Sequence, residues 1–205
     1  MVRCYSMGSS TVSISLQSKP NIIIPYNDRL APLYIRQALY SLIPDGTEHI
    51  YVIGIGSSRI NGDSLGPFVG SLLKNNFSVH LTVLGNLQAP LDATTLVPEL
   101  GQLSFRKNSF VIAIDSVLGS DDYVNSIVVK DGPVVPGVGL GNILPPIGDC
   151  SITGVVLEND PALKNSLLCT DLHLVYTMAT SIAKGISLTV RQYYKYPSSQ
   201  PLLAY

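Results

Sequence analysis

The chain has 205 residues, of which 46% are hydrophobic and only 13% are charged, and its mean hydropathy is +0.31. This composition excludes a disordered protein, because so apolar a chain can bury a substantial core. The net charge is −1 without any basic cluster, which excludes the electrostatic surface expected of a nucleic-acid binder or an anionic-membrane binder. We therefore expect a single domain over residues 1–205, in which an arm at 1–25 and a tail at 193–205 can be flexible. The tail is rich in Pro and Ser and is predicted to be exposed.

The cysteines are few and scattered. Cys4, Cys150 and Cys169 show no CxxC spacing, which indicates neither a disulfide framework nor a zinc site and is typical of a reducing compartment. No segment approaches the roughly 20 apolar residues that a membrane helix needs. We expect a soluble, cytoplasmic protein with no membrane partner, and the excess of apolar residues suggests a homodimer.

The first half of the chain begins without clear periodicity. A strand could lie at Val12–Leu16 or at Asn21–Ile24. Apolar positions then recur at helical spacing over residues 29–43, where Asn27-Asp28 can cap a helix and Pro44-Asp45-Gly46 can end it.

The stretch IYVIGIGSSRINGDSLGP, residues 50–67, is the most informative part of the sequence. Its first six residues are mostly β-branched or aromatic and predict a buried parallel strand, residues 56–62 are turn formers, and residues 64–75 have helical periodicity. Asp63 therefore lies between the end of a strand and the start of a helix. In open α/β sheets, ligands bind at this edge, outside the carboxyl ends of the strands.

A second strand ends in an acid. Residues 79–84 predict a strand and residues 92–100 a short helix, and then FVIAIDS places five apolar residues before Asp115. This pattern is typical of a central parallel strand that ends at the sheet's carboxyl edge. Asp63 and Asp115 are therefore predicted at the same edge.

The remaining chain continues the alternation of strands and helices. It predicts a strand at 125–129, an irregular Gly/Pro-rich region at 132–146, a loop leading into a strand at 147–157, a short helix at 161–167 and a long helix at 171–191. The alternation predicts an α/β fold with a mostly parallel sheet.

Two acids at one edge suggest acid–base chemistry. Carboxylates about 3 Å apart cannot both ionise easily, so that one can act as a base while the other acts as an acid on a water or a carbonyl. The alternative for each residue alone is structural, with Asp63 as a helix cap and Asp115 as an acid that orders a loop.

Other candidate residues surround the two acids. Five are candidate substrate contacts, although turn hydrogen bonds, loop capping or solvation explain them as well: Asp149, Ser64, Ser116, Arg59 and Thr153. We predict no cofactor, because the Gly54-Ile55-Gly56 turn lacks the third glycine of a dinucleotide-binding fingerprint. We predict no metal site, because the three histidines are scattered.

Several separated motifs resemble a known family. The segments GIGSSRINGDSLGP, FVIAIDSVLG and DGPVVPGVGLGNILPPIGDCSITGVV, followed by the last helix, look like the YyaC family of sporulation proteins over roughly residues 25–190. That family is similar to the spore germination protease and, more distantly, to hydrogenase maturation proteases. In the germination protease, a turn of the type DALGP supplies one catalytic aspartate, which Asp63 in DSLGP matches. An apolar strand that ends in IAIDA supplies the second, which Asp115 in IAIDS matches.

The resemblance has implications for fold and function. It implies a three-layer α/β/α fold of the phosphorylase/hydrolase-like type, and a sporulation-associated peptidase in which Asp63 and Asp115 activate water. The substrate would be a peptide or protein, such as a spore protein, in the cytoplasm of the forespore or spore. The histidine with which hydrogenase maturation proteases hold nickel has no counterpart here. The alternative is a catalytically silent sporulation protein that binds a peptide or protein partner through the same acidic cleft.

Overall fold

The computed structural model describes residues 21–137, 144–160 and 166–203. The strands in this part of the chain are β1 (Ile22–Pro25), β2 (His49–Gly54), β3 (Leu81–Leu84), β4 (Ser109–Gly119), β5 (Ser126–Asp131) and β6 (Cys150–Glu158). The α-helices are α1 (Ala31–Leu42), α2 (Leu65–Leu73), α3 (Leu96–Gly101) and α4 (Leu172–Tyr193), and short 3₁₀ helices lie at Asn61–Asp63 and Asp121–Tyr123. None of the described helices is both long and apolar enough to cross a membrane.

The strands form one sheet with the order β1-β5-β6-β4-β2-β3. Strands β3, β2, β4 and β6 pair in parallel, whereas β5 is antiparallel to both β6 and β1. This arrangement confirms the predicted α/β fold with a mostly parallel sheet. Its four parallel neighbours also give the sheet a shared carboxyl edge.

Helices cover the two faces of the sheet unequally. Successive side chains of a strand point to opposite faces, and Ile112 and Ile114 of β4 pack in a large core with residues of α1, α2 and α4. Ala113, between them, packs in a smaller core with Leu96 of α3 and with Ile147. The fold is therefore three-layered, with a thin layer on the α3 face.

Strand β4 is longer than the sequence predicts. It continues four residues beyond Asp115, because it stays paired with β6 as far as Gly119 and Glu158, with a register shift between Val117 and Leu118. The prediction that β4 ends at Asp115 is therefore wrong. A polar residue does not end a strand whose backbone still has a hydrogen-bonded neighbour.

Several other boundaries were predicted closely. Of the two early candidate strands, the one at 21–24 is confirmed as β1, and Val12–Leu16 lies outside the described residues. Helix α4 begins after Asp171, whose side chain accepts a hydrogen bond from the backbone N–H of His173 at 2.8 Å. Of the predicted helix at 161–167, residues 161–165 lie outside the described part, and residues 166–169 form a 3₁₀ turn.

The tail after α4 packs against the core. Leu203 is only 6% exposed, Tyr196 and Leu202 also pack on the main core, and the hydroxyl of Ser187 in α4 donates to the carbonyl of Leu202. The prediction of an exposed tail is therefore wrong for these side chains. Their apolar surface gains more from burial on α4 than from contact with water.

Candidate active site

Glycines bring helix α2 directly onto the end of β2. A Cβ atom on Gly54 would lie 2.4 Å from the carbonyl oxygen of Gly66, and a Cβ on Gly66 would lie 2.3 Å from the carbonyl oxygen of Ile55. Only glycine permits such an approach between backbones. The loop that joins β2 to α2, which contains Asp63, is therefore held against the carboxyl edge of the sheet.

Asp63 folds back over Gly56. A Cβ on Gly56 would lie 2.0 Å from the carbonyl oxygen of Asp63 and 3.3 Å from its Oδ1, and Gly56 has a φ of +133°, which glycine adopts without strain. The backbone N–H of Ser57 also donates to the carbonyl oxygen of Asp63 at 2.9 Å. Because Gly56 has no side chain, there is room for Asp63 at the end of β2.

Asp115 lies on β4 at the level where β2 ends. The N–H of Ile55 donates to the carbonyl of Ile114 at 2.8 Å, so Ile55 and Asp115 are neighbours across the two strands. The Asp115 side chain is 6% exposed, and its Oδ1 accepts the backbone N–H of Ser116 at 2.8 Å. Asp115 is thus a buried carboxyl group with one backbone donor.

The environment raises the pKa of Asp63 to about 6. Burial is the main cause, and the negative charge of Asp92 acts in the same direction. Hydrogen bonds from the backbone N–H of Ser57 and from the hydroxyl of Ser116 act against them, because both stabilise the carboxylate.

The pKa of Asp115 is raised further, to about 8. Burial is again the main cause, followed by the negative charge of Asp63, while the N–H of Ser116 opposes both. The effect of Asp63 shows that the two carboxyl groups are close enough to interact. The structure therefore brings these two predicted residues together and gives them different affinities for a proton.

Ser116 links the two acids. Its backbone N–H donates to Asp115, and its hydroxyl bonds to Asp63. Side chains alternate along β4, so Ser116 and Asp115 start on opposite faces of the strand. The bond to Asp115 comes from the Ser116 backbone, so it does not require the two side chains to lie on the same face.

Three other predicted residues lie around this pair. Thr153 of β6 is the register partner of Asp115 and is partly buried. Ser64 is buried, and its hydroxyl donates to the carbonyl of Asn61 at 2.6 Å, which fixes the turn before α2. Arg59 is exposed in the loop after β2, and its backbone N–H donates to Oγ of Ser57 at 3.2 Å.

Asp149 does not join the pair. It directly precedes β6, four residues before Thr153, which is about 13 Å along a strand. Its Oδ2 accepts the N–H of Val111 at 2.8 Å, and its own N–H donates to the carbonyl of Val111 at 2.8 Å. Asp149 therefore links β6 to β4 at the opposite edge of the sheet. Two roles were considered for Asp149, a substrate contact beside the pair and a loop cap, and this geometry matches the loop cap.

Sequence reasoning missed Asp92 as a neighbour of the pair. Its Oδ1 accepts the N–H groups of Thr94 and Thr95 at 2.9 and 3.2 Å and the Thr94 hydroxyl at 2.6 Å, and the Thr94 hydroxyl is the main cause that lowers the pKa of Asp92. The preceding residue, Leu91, accepts the N–H of Gly56 at 2.9 Å. An ionised carboxylate is thereby placed near Asp63. The sequence pattern that could have identified Asp92 is an acid followed closely by two threonines, Thr94 and Thr95, after a strand. This pattern is typical of a helix cap.

The histidines serve packing contacts. His49 is 1% exposed and bonds Oγ1 of Thr82 at 2.8 Å, while His80 bonds the hydroxyl of Tyr196 at 2.7 Å. In the described ranges no group of three or more His, Cys, Asp or Glu residues is arranged to hold a metal ion.

The chain matches a family model over most of the elements described above. The model, described as a protein of unknown function, DUF1256, covers residues 23–185, which include both Asp63 and Asp115. The chain belongs to the DUF1256 family. A relative from Bacillus subtilis (strain 168), described as "Uncharacterized protein YyaC", is 35% identical over 190 residues, which are 92% of this chain and 93% of the relative. DUF1256 membership agrees with the resemblance to YyaC proteins. Neither description states an activity, so the function is argued from the site.

Proposed function

We propose that this protein is a sporulation-associated peptidase in which Asp63 and Asp115 activate water for hydrolysis of a peptide bond. One observation carries the proposal: two interacting carboxyl groups at the carboxyl edge of the sheet differ in pKa, about 6 for Asp63 and about 8 for Asp115. Near neutral pH, such a pair holds one proton in total. One carboxylate base beside one carboxylic acid is the arrangement that aspartic-type hydrolysis needs.

The pKa difference assigns a role to each residue. Asp63, ionised near neutral pH, accepts a proton from water as the water oxygen attacks the peptide carbonyl carbon. Asp115, protonated, donates its proton to the carbonyl oxygen. The resulting tetrahedral intermediate breaks its C–N bond as the amine leaves with the proton from Asp63, and Asp115 regains its proton from the hydroxyl.

The surroundings support different roles for the other residues. Ser116 positions both acids through its N–H and its hydroxyl. Thr153, level with Asp115, and Arg59, exposed on the adjoining loop, are the candidate contacts for a peptide substrate. The Ser64 hydroxyl already bonds a backbone carbonyl, so Ser64 contributes by shaping the turn.

The biological setting rests on the motif resemblance. The motifs around Asp63 and Asp115 look like those of YyaC sporulation proteins and of the germination protease. We propose a spore protein or a peptide derived from one as the substrate, and the cytoplasm of the forespore or spore as the location.

Cleavage of spore proteins tests the proposal. The purified full chain is incubated with spore-core and spore-coat extracts and with a peptide library, and new peptide termini are identified by mass spectrometry. We expect Asp63→Asn and Asp115→Asn each to lower the cleavage rate by about 100-fold or more, because each removes a proton-transfer group. Asp149→Asn is the matched control and should cleave like the wild type. Wild-type rates in both Asp63→Asn and Asp115→Asn would refute the mechanism.

A binding protein without turnover is the second candidate. One observation favours it: the Asp115 carboxylate accepts the backbone N–H of Ser116 at 2.8 Å, as a structural acid often does. In this case no extract or peptide is cleaved by any variant. A spore peptide would instead bind the wild type and lose affinity on Arg59→Ala or Thr153→Val, with Asp149→Asn again as the control.

A further inference from the structure

An open cavity of about 630 Å³ lies at the other edge of the sheet. Its lining comes from the end of α1 and the following turn, from residues just before β2 and β3, and from the end of α4: Tyr40, Asp45, Gly46, Thr47, Glu48, His80, Tyr193 and Tyr194. Glu48 precedes Ile55 by seven residues, roughly 20 Å along an extended strand. The cavity is thus separate from the aspartate pair.

Aromatic rings form adjoining walls of this cavity. The rings of Tyr40 and Tyr193 are 6.1 Å apart and inclined by 66°, and those of Tyr193 and Tyr194 are 5.0 Å apart and inclined by 73°. His80 stacks on Tyr194 with a ring separation of 4.1 Å. The four rings therefore form one continuous aromatic cluster that lines the cavity.

Hydrogen bonds hold these walls in place. The hydroxyl of Tyr193 donates to the carbonyl of Pro44 at 2.6 Å and accepts the N–H of Thr47 at 3.0 Å. His80 bonds the hydroxyl of Tyr196 at 2.7 Å. Hydrogen bonds therefore fix Tyr193 and His80 in the wall of the cavity.

The charge of the lining is acidic. Asp45 and Glu48 are its carboxylates, and none of its residues is Lys or Arg. The Glu48 carboxylate accepts a hydrogen bond from the side-chain amide of Asn108 at 3.1 Å. Asn108 is neutral, so this bond does not offset the negative charge of Glu48. Burial is the main cause that raises the pKa of the Tyr194 hydroxyl, followed by Tyr193 and Tyr196, and the charge of Glu48 adds a smaller effect in the same direction.

Aromatic faces beside carboxylates are the surroundings that organic cations prefer, because the ring quadrupole and the negative charges attract the same ligand. The cavity also has a volume typical of small-ligand sites. We propose that the cavity lined by Tyr40, Tyr193, Tyr194 and Glu48 binds an organic ammonium group, supplied by a free amine or by a lysine side chain of a peptide. This proposal is independent of the peptidase proposal, because it uses none of the same residues.

Titration of the full chain tests the proposal directly. Backbone ¹H–¹⁵N NMR spectra are recorded with n-butylammonium, which mimics a lysine side chain, with tetramethylammonium, and with tert-butanol as a neutral molecule of similar shape. We expect both cations to shift the amides of Gly46 and Thr47 in a saturable manner and tert-butanol to shift neither. Tighter binding of butylammonium assigns a primary amine, and tighter binding of tetramethylammonium assigns a methylated one. Equal shifts with tert-butanol, or no saturable shift with either cation, would overturn the proposal.

Matched variants separate the cavity from the general surface. Tyr40→Leu removes a wall that is 45% exposed, and Tyr34→Leu removes a tyrosine of the same helix that is 41% exposed but lies outside the lining. Glu48→Gln removes a charge while keeping an acceptor for Asn108, and Glu99→Gln is its exposed control. We expect about 3-fold weaker cation binding in each cavity variant and unchanged binding in both controls. Folding is checked in the same spectra, and well-folded cavity variants with wild-type affinity would contradict the proposed site.

Discussion

Asp63 and Asp115 carry the same carboxyl group in different surroundings. Asp63 is partly exposed and receives hydrogen bonds from Ser57 and Ser116, whereas Asp115 is 6% exposed and lies in the field of Asp63. Burial penalises the charged form of both residues, but more strongly for Asp115. The difference in burial, rather than in residue type, is the main reason why the two pKa values differ.

Ionisation of Asp115 is expected to destabilise the fold as pH rises. Its folded pKa of about 8 lies above the ordinary value of 3.8, so the stabilising effect of the protonated form is complete below about pH 4 and is lost progressively up to about pH 8. Asp115→Asn removes this loss. We expect the stability of the variant relative to the wild type to rise by roughly 2–5 kcal/mol between about pH 4.5 and about pH 8.5, as measured by urea unfolding at both pH values.

Asp149→Asn is the control for this experiment, because Asp149 is exposed at the other edge of the sheet. Comparing the two variants separates an effect of the Asp115 site from a general effect of exchanging Asp for Asn. A constant stability difference between Asp115→Asn and the wild type would mean that the Asp115 carboxyl ionises as easily in the folded as in the unfolded chain.

Removing the charge of Asp63 is expected to lower the pKa of Asp115. The negative charge of Asp63 is the second cause of the raised value, so Asp63→Asn should reduce the pKa of Asp115 from about 8 by roughly one unit. Carboxyl ¹³C NMR titration of aspartate-labelled protein measures this change. Asp149→Asn, about 13 Å away along the strands, should leave the value unchanged. An identical titration of Asp115 in Asp63→Asn would show that the carboxyls do not interact.

Sequence patterns identified the central acids better than their neighbours. The strand–turn–helix pattern and the apolar run placed Asp63 and Asp115 at one edge. An acid that follows a parallel strand lies at the carboxyl edge, as Asp92 does after β3, whereas an acid that precedes one lies at the opposite edge, as Asp149 does before β6. Residues 147–157 were predicted as a loop that leads into a strand, without the residue at which the strand begins, so the sequence could not tell at which edge of the sheet Asp149 lies.

At the scale of elements, close backbone contact between α2 and the ends of β2 and β3 fixes the site. The helix periodicity of α2 was readable in the sequence, but its distance from the sheet was not. That distance is set by pairs of glycines, such as Gly70 and Gly85, which are separate in sequence and meet only in the folded chain.

A side chain at Gly70 is expected to destabilise the protein. A Cβ atom there would lie 1.8 Å from the carbonyl oxygen of Gly85, so Gly70→Ala must push α2 away from the sheet and should cost about 1–3 kcal/mol. Gly101→Ala in α3 is the matched control, because nothing lies within 4 Å of its Cβ position. Alanine improves helix propensity at both positions, so the difference between the two variants isolates the steric effect. Urea unfolding measures it, and equal stabilities would contradict the close contact.

The length of β4 shows what local patterns leave out. The apolar run up to Ile114 was readable, and the acid after it looked like the end of the strand. The strand continues because β6 supplies hydrogen-bond partners as far as Glu158, and that partnership joins residues about 40 positions apart in the chain.

At the scale of the whole molecule, the topology was only partly predictable. Residues 125–129 were read as a strand, but an apolar run does not encode the direction in which a strand joins the sheet. The antiparallel insertion of β5 between β1 and β6 follows from the lengths and paths of its connections.

The tail is expected to stabilise the whole fold. Leu203 is 6% exposed and packs on the main core, so Leu203→Ala should lower the free energy of unfolding by about 2 kcal/mol. Leu168→Ala is the control, since Leu168 is 58% exposed, and it should change stability by less than about 0.5 kcal/mol. Thermal unfolding of both variants measures the difference. Equal effects would mean that the end of the chain contributes no packing energy in solution.

The parallel strands have unequal lengths at the edge that holds the two carboxylates. Strands β2 and β3 end at Gly54 and Leu84, near the level of Asp115. Strands β4 and β6 extend four or more residues further and flank the pair on one side. Under the peptidase proposal, a polypeptide substrate would lie across the short strands, beside the longer β4 and β6. The side chains of Val117 and Leu118 would then help to select the polypeptides that fit, so exchanging these two residues should change selectivity without altering either acid.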